Sequence, residues 1–151
     1  MSGISAFWLY PIIVAAGLLQ AMGPPMNGAL RISLVNPWIA TLVSFVLIIA
    51  VFLVVAAIFP RPLPTAEGIE KMPWWAPLGG IMGALAVVTG LLFVDKVGAG
   101  PFAAMTVSAN LIASVAIDHF GWLNVPEHAI SGMRALGVVV LVAGVALITM
   151  F

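Results

Sequence analysis

Residues 38–59 read WIATLVSFVLIIAVFLVVAAIF, a run of 22 positions without a single charge. As a helix, at about 1.5 Å per residue, it extends about 33 Å, enough to cross a hydrocarbon core of about 30 Å. Four more apolar runs surround it, at residues 4–30, 75–94, 101–117 and 135–151. Of the 151 residues, 64% are hydrophobic and 7% are charged, where a soluble domain carries about 25% charged residues. A soluble fold would lack the polar surface to cover so much apolar chain. The sequence therefore reads as one all-α integral membrane domain over residues 1–151. It is a bundle of five transmembrane helices near 4–30, 38–59, 75–94, 101–119 and 132–151. The lipid bilayer is its solvent, and function is to be sought among polar groups held inside it.

Composition also excludes several classes. Five basic and five acidic residues leave a net charge of zero, which offers nucleic acid nothing to bind. The absence of cysteine removes disulfides, thiol nucleophiles and thiolate metal sites. No nucleophile stands beside a base and no carboxylates pair, so an enzyme is not expected, and neither is a cofactor. His119 and His128, with Glu127 nearby, do not make a metal site. Residues 1–5 carry no Lys or Arg, and the run after them is too long for a signal peptide and shows no A-x-A site, so it reads as a retained helix.

Polar and small residues give the five spans different characters. The first contains Pro11 and then Gly23-Pro24-Pro25. Interior prolines delete backbone donors and crowd the preceding turn, so a kink or local unwinding is expected there. Asn36-Pro37 closes the first connection, and Trp38 opens the second span at an interface. That second span has only Thr41 and Ser44 as polar residues and reads as wall, with 46–59 as lipid-facing filler. Pro60-Arg61-Pro62-Leu63-Pro64 stops it, and the stretch to Lys71 is the main aqueous loop. Gly79, Gly83, Ala86 and Gly90 share one face of the third span and should pack against another helix, as should Gly137 and Gly144 of the fifth. Asp95-Lys96 reads as a short polar link. The fourth span is the most polar, with Thr106, Ser108, Asn110 and Ser114, followed by Asp118-His119. Trp8, Tyr10, Trp38, Trp74, Trp75 and Trp122 read mainly as interface anchors.

Five spans place the termini on opposite sides. Arg61, Lys71 and Arg134 then fall on the N-terminal side, and Arg31 and Lys96 on the other. Three basic residues against two is a weak positive-inside bias. Two readings follow. Either another determinant fixes one orientation, or both orientations insert and opposed copies pair as the inverted halves of a transporter around a midplane site.

Gln20, Asn27, Leu30-Arg31, Asn36-Pro37, Ala40 and Ser44-Phe45 resemble the opening of the YdcZ-like five-helix family of the drug/metabolite transporter superfamily. Val97-Gly98-Ala99, Asp118-His119-Phe120-Gly121, Arg134, Gly137 and Gly144-Val145 extend the resemblance over nearly the whole chain. It implies a multi-pass protein of the bacterial inner membrane. It further implies half of an inverted-repeat exporter of small molecules, completed by a second copy or a paired homologue as an antiparallel dimer. Asn110 stands where the family is expected to place glutamine, keeping the amide with a shorter reach. Related small multidrug-resistance proteins use a glutamate in their first helix; here that helix has no acidic residue, so proton-coupled export of cations does not carry over.

The candidate pathway residues are Gln20, Asn27, Arg31, Thr106, Asn110 and Ser114. Gln20 and Asn27 lie two turns apart on one face, either lining a pathway beside the Pro24-Pro25 break or joining their helix to a neighbour. Arg31 suits a carboxylated or anionic substrate, or snorkels to the interface. Asp118 is the candidate for proton coupling, or pairs with Arg134 or Arg61. With opposed copies, Arg31 of one and Asp118 of the other fall on one side as a possible gate pair. Thr106, Asn110 and Ser114 suit neutral or zwitterionic solutes, or bond their own helix. The function expected is small-molecule export by alternating access, with the substrate unspecified. A passive channel and a structural subunit of a membrane complex are the alternatives.

Overall fold

The computed structural model describes residues 6–151, with side chains from Leu9 onward. The start of the first run and the side chain of Trp8, read above as an anchor, lie outside the described residues. Six α-helices follow in order: α1 Ala6–Leu34, α2 Pro37–Ile58, α3 Ala66–Glu70, α4 Gly79–Val97, α5 Ala99–Phe120 and α6 Gly132–Met150. All but α3 are long and apolar enough to cross a membrane. The protein is all-α with five such helices, and no strand occurs among the described residues.

Local chemistry sets the boundaries. Asn36, in extended backbone, caps α2 by accepting hydrogen bonds from the backbone N–H groups of Trp38 (2.9 Å) and Ile39 (3.2 Å). Pro37 occupies the first turn, where its missing donor is no loss. The loop helix α3 is capped by Thr65, which accepts from the Gly68 N–H, and braced by Lys71–Glu67 at 2.6 Å. Ser131 caps α6 through the Arg134 N–H. Gly121 ends α5 in the left-handed conformation, at φ 61°, where an absent Cβ removes the usual penalty.

Three expectations are corrected. First, the local unwinding expected at Gly23-Pro24-Pro25 does not occur: α1 stays helical through it. Proline's fixed φ is itself helical, so the helix continues although each proline removes its own N–H and crowds the preceding turn. The cost is two carbonyls, those of Gln20 and Ala21, without their helical donors. Second, Asp95-Lys96 is not a link but part of the last turn of α4. Gly98 makes the break alone, at φ 88°, before α5 begins. Third, the glycine faces of α4 and α6 are only partly packed: Gly90 is buried, whereas a Cβ added at Gly79, Gly83, Gly137 or Gly144 would meet nothing within 4 Å.

The chain forms two compact units, Met1–Asp95 and Lys96–Phe151. In the first, α1 and α2 pack as a hairpin, and the C-terminal turns of α1 and α4 meet at Gly28. A Cβ there would lie 2.8 Å from Asp95 Oδ1 and 2.9 Å from Val94 Cγ1. In the second, α5 and α6 pack as a hairpin. Their connection is stitched to the end of α5, with the His128 N–H donating to the Asp118 carbonyl (2.7 Å) and the Ile130 N–H to His119 Nδ1 (3.2 Å). Most large apolar side chains stay exposed along the spans, the surface that lipid or another protein covers.

Candidate functional site

A groove of about 480 Å³ runs between α1 and α2, lined by Met26, Asn27, Leu30, Ser44, Leu47, Ile48, Val51 and Phe52. The α2 positions follow the three-and-four spacing of one helical face. Asn27 and Ser44 are its only polar side chains. Asn27 lies seven residues before the end of α1, and Ser44 seven after the start of α2. At about 1.5 Å per residue, both sit about 10 Å inside the same end of the hairpin, level with each other. Neither side chain is paired in a hydrogen bond among the described residues.

One turn beyond Asn27, Arg31 Nη2 donates to Asp95 Oδ2 at 2.6 Å. The two side chains are 28% and 33% exposed, so the pair is partly shielded. Arg31 Nε is buried with no hydrogen-bond partner among the described residues. Glycine at position 28 is what allows α4 this close. Arg31 is thus neither a lone snorkelling cation nor idle, because its partner lies in its own chain, 64 residues away.

A second groove, of about 520 Å³, lies between α5 and α6. Its walls are Leu111, Ser114, Val115, Asp118, Arg134, Gly137, Val138, Val140 and Leu141. Arg134 Nη1 stands 3.9 Å from Asp118 Oδ2 and donates a long 3.4 Å bond to the His128 carbonyl. Asp118 therefore faces Arg134 on its own side of the chain, one of the three roles the sequence left open.

The other predicted residues are placed as follows. Gln20 is exposed and does not line the α1–α2 groove. Thr106 Oγ1 donates to the Phe102 and Ala103 carbonyls of its own helix, the back-bonding that serine and threonine commonly make. Ser114 Oγ donates to Asn110 Oδ1 at 3.4 Å. Ser108 is the buried polar residue of α5, its hydroxyl unpaired among the described residues. Ser44 and Asp95 were missed as site residues. Ser44 stood out in sequence as one of two polar groups in an otherwise apolar span, and Asp95, like Asp118, as a carboxylate near a span end.

Residues 8–147 match the family described as "Putative inner membrane exporter, YdcZ". The chain belongs to the YdcZ family. No curated protein and no solved structure matches it significantly. The family match and the five span-forming helices make this YdcZ-family chain a multi-pass inner-membrane protein of the transporter type. The family's description names an exporter, which is not an enzyme class.

Proposed function

We propose that this chain is half of a small-molecule exporter, completed by a second copy or a paired homologue in the opposite orientation, and that it works by alternating access. The observation carrying this reading is the α1–α2 groove, where the Asn27 amide and Ser44 hydroxyl stand level and unpaired about 10 Å inside a span. Unpaired polar groups are costly at that depth unless they meet water or a ligand. The groove holds no charge. It therefore suits an uncharged organic solute with a hydrogen-bonding group, for which Asn27 both donates and accepts.

Two further features support the two-chain reading. The groove is open along its side, so a further surface must close over it to enclose a solute, as a second chain would. Gly79 and Gly83 of α4, where an added Cβ would meet nothing within 4 Å, leave room for close helix approach.

The test is counterflow in proteoliposomes, with purified protein offered a panel of neutral, anionic and cationic radiolabelled solutes. Uptake of a neutral solute against its gradient, dependent on unlabelled solute inside, supports the reading. Downhill flux without counterflow would favour a passive facilitator. No flux for any class would favour a structural subunit.

A further inference from the structure

The α5–α6 groove differs in chemistry from the α1–α2 groove. It carries an opposite charge pair at one end and, beyond Ser114, whose hydroxyl bonds to Asn110 of its own helix, hydrocarbon along the rest. Asp118 is two residues from the end of α5, and Arg134 is the third residue of α6. Both therefore sit at span ends, at the depth of lipid headgroups. Leu111 and Leu141 lie seven residues further into their spans, about 10 Å deeper at about 1.5 Å per residue. Val115 and Val138 line the stretch between.

The pair itself is open. At 3.9 Å it exceeds the length of a charge-assisted hydrogen bond, and the Asp118 carboxylate accepts no side-chain or backbone hydrogen bond among the described residues. The Arg134 guanidinium spends one donor on a long bond to the His128 carbonyl and keeps others for a ligand.

We propose that this groove holds a zwitterionic phospholipid, phosphatidylethanolamine. Its phosphate sits on Arg134, its ammonium on Asp118, and an acyl chain lies between α5 and α6. Charge complementarity selects the headgroup. A net-neutral pair of one cation and one carboxylate matches a zwitterion, whereas an anionic lipid gains Arg134 but meets Asp118 as a like charge. The ammonium must also donate a hydrogen bond to the carboxylate, which a quaternary choline cannot do. The apolar wall selects a lipid over a soluble zwitterion, which would leave that wall unfilled.

The experiment is thermal unfolding of the full purified chain in detergent, titrated with individual lipids. Phosphatidylethanolamine is expected to raise the melting temperature at a concentration roughly tenfold below that needed for phosphatidylglycerol, the worth of one charge-assisted bond. Phosphatidylcholine should fall between them. Asp118→Asn should erase the difference between the ethanolamine and glycerol lipids. Val138→Trp, which fills the groove and leaves both charges in place, should abolish the ethanolamine effect. Equal potency of the two lipids, or an undiminished preference in Asp118→Asn, overturns the proposal. An equal shift with glycerophosphoethanolamine, the headgroup without its chains, overturns it in favour of a soluble zwitterion.

Discussion

Gly28→Ala tests the contact that joins α1 to α4. The added methyl would lie 2.8 Å from Asp95 Oδ1 and 2.9 Å from Val94 Cγ1, well inside normal separation. Asp95 has a flexible side chain, but its carboxylate is held by Arg31 at 2.6 Å. Val94 is β-branched and stiff, and it is buried. Relief must come from breaking the Arg31–Asp95 pair or from moving α4, and overpacking of this kind costs about 1–3 kcal/mol. Replacing glycine by alanine in a helix also returns about 1 kcal/mol through propensity, so the net change alone is ambiguous. Gly17→Ala, in the same helix with nothing within 4 Å of its added methyl, carries the propensity gain without the clash. The gap between the two variants is therefore the clash itself, about 1–3 kcal/mol. It is measured by unfolding both in the same detergent. A second readout is a double-mutant cycle: Asp95→Asn should destabilise the parent and have little effect in the Gly28→Ala background. Equal stability of the two alanine variants, or an unchanged Asp95→Asn effect, would refute the close approach.

Three other outcomes are expected. Asn36→Ala should cost about 1 kcal/mol of stability in the same unfolding assay, because two backbone donors at the start of α2 lose their acceptor. Val35 follows α1 at φ 60°, a conformation costing a β-branched residue about 1–2 kcal/mol. Val35→Gly should therefore stabilise the chain, by less than that amount because glycine also frees the unfolded state. Asn27→Leu should lower counterflow of a transported neutral solute roughly tenfold, the worth of one hydrogen bond, with its melting temperature unchanged.

The spans were legible in the sequence because hydrocarbon thickness imposes a length that few other structures need. The α2 start was legible too, since Asn36-Pro37 is capping chemistry that acts within three residues. Long-range facts were not. Nothing local to Arg31 or Asp95 announces their pairing, which depends on how α4 meets α1 and on the missing side chain at Gly28. Asp95-Lys96 resembled a link because charges usually sit in loops, yet the last turn of a span also reaches the interface and tolerates them. The glycine spacing of α4 showed where a helix is able to approach; of that face Gly90 is buried, while Gly79 and Gly83 are exposed. Pro24-Pro25 suggested local unwinding, but proline's φ is itself helical, and α1 stays helical there despite the lost donors and the crowded turn. Ser44 was readable from the 44/47/48/51/52 face and was passed over because the span around it looked like plain wall.

The chain has no cysteine, so one introduced thiol reports a single position. Ser44→Cys replaces a groove hydroxyl by a thiol of similar shape. Labelling this variant in oriented membrane vesicles with a membrane-impermeant maleimide, applied from each face in turn, tests alternating access most directly. Opposed copies present one thiol toward each face whether or not they alternate, so the account predicts that a transported neutral solute supplied at one face alone protects against labelling from the other. Protection confined to the face that receives the solute, with a thiol at an exposed position such as Ser131→Cys labelled equally with and without solute, would contradict it.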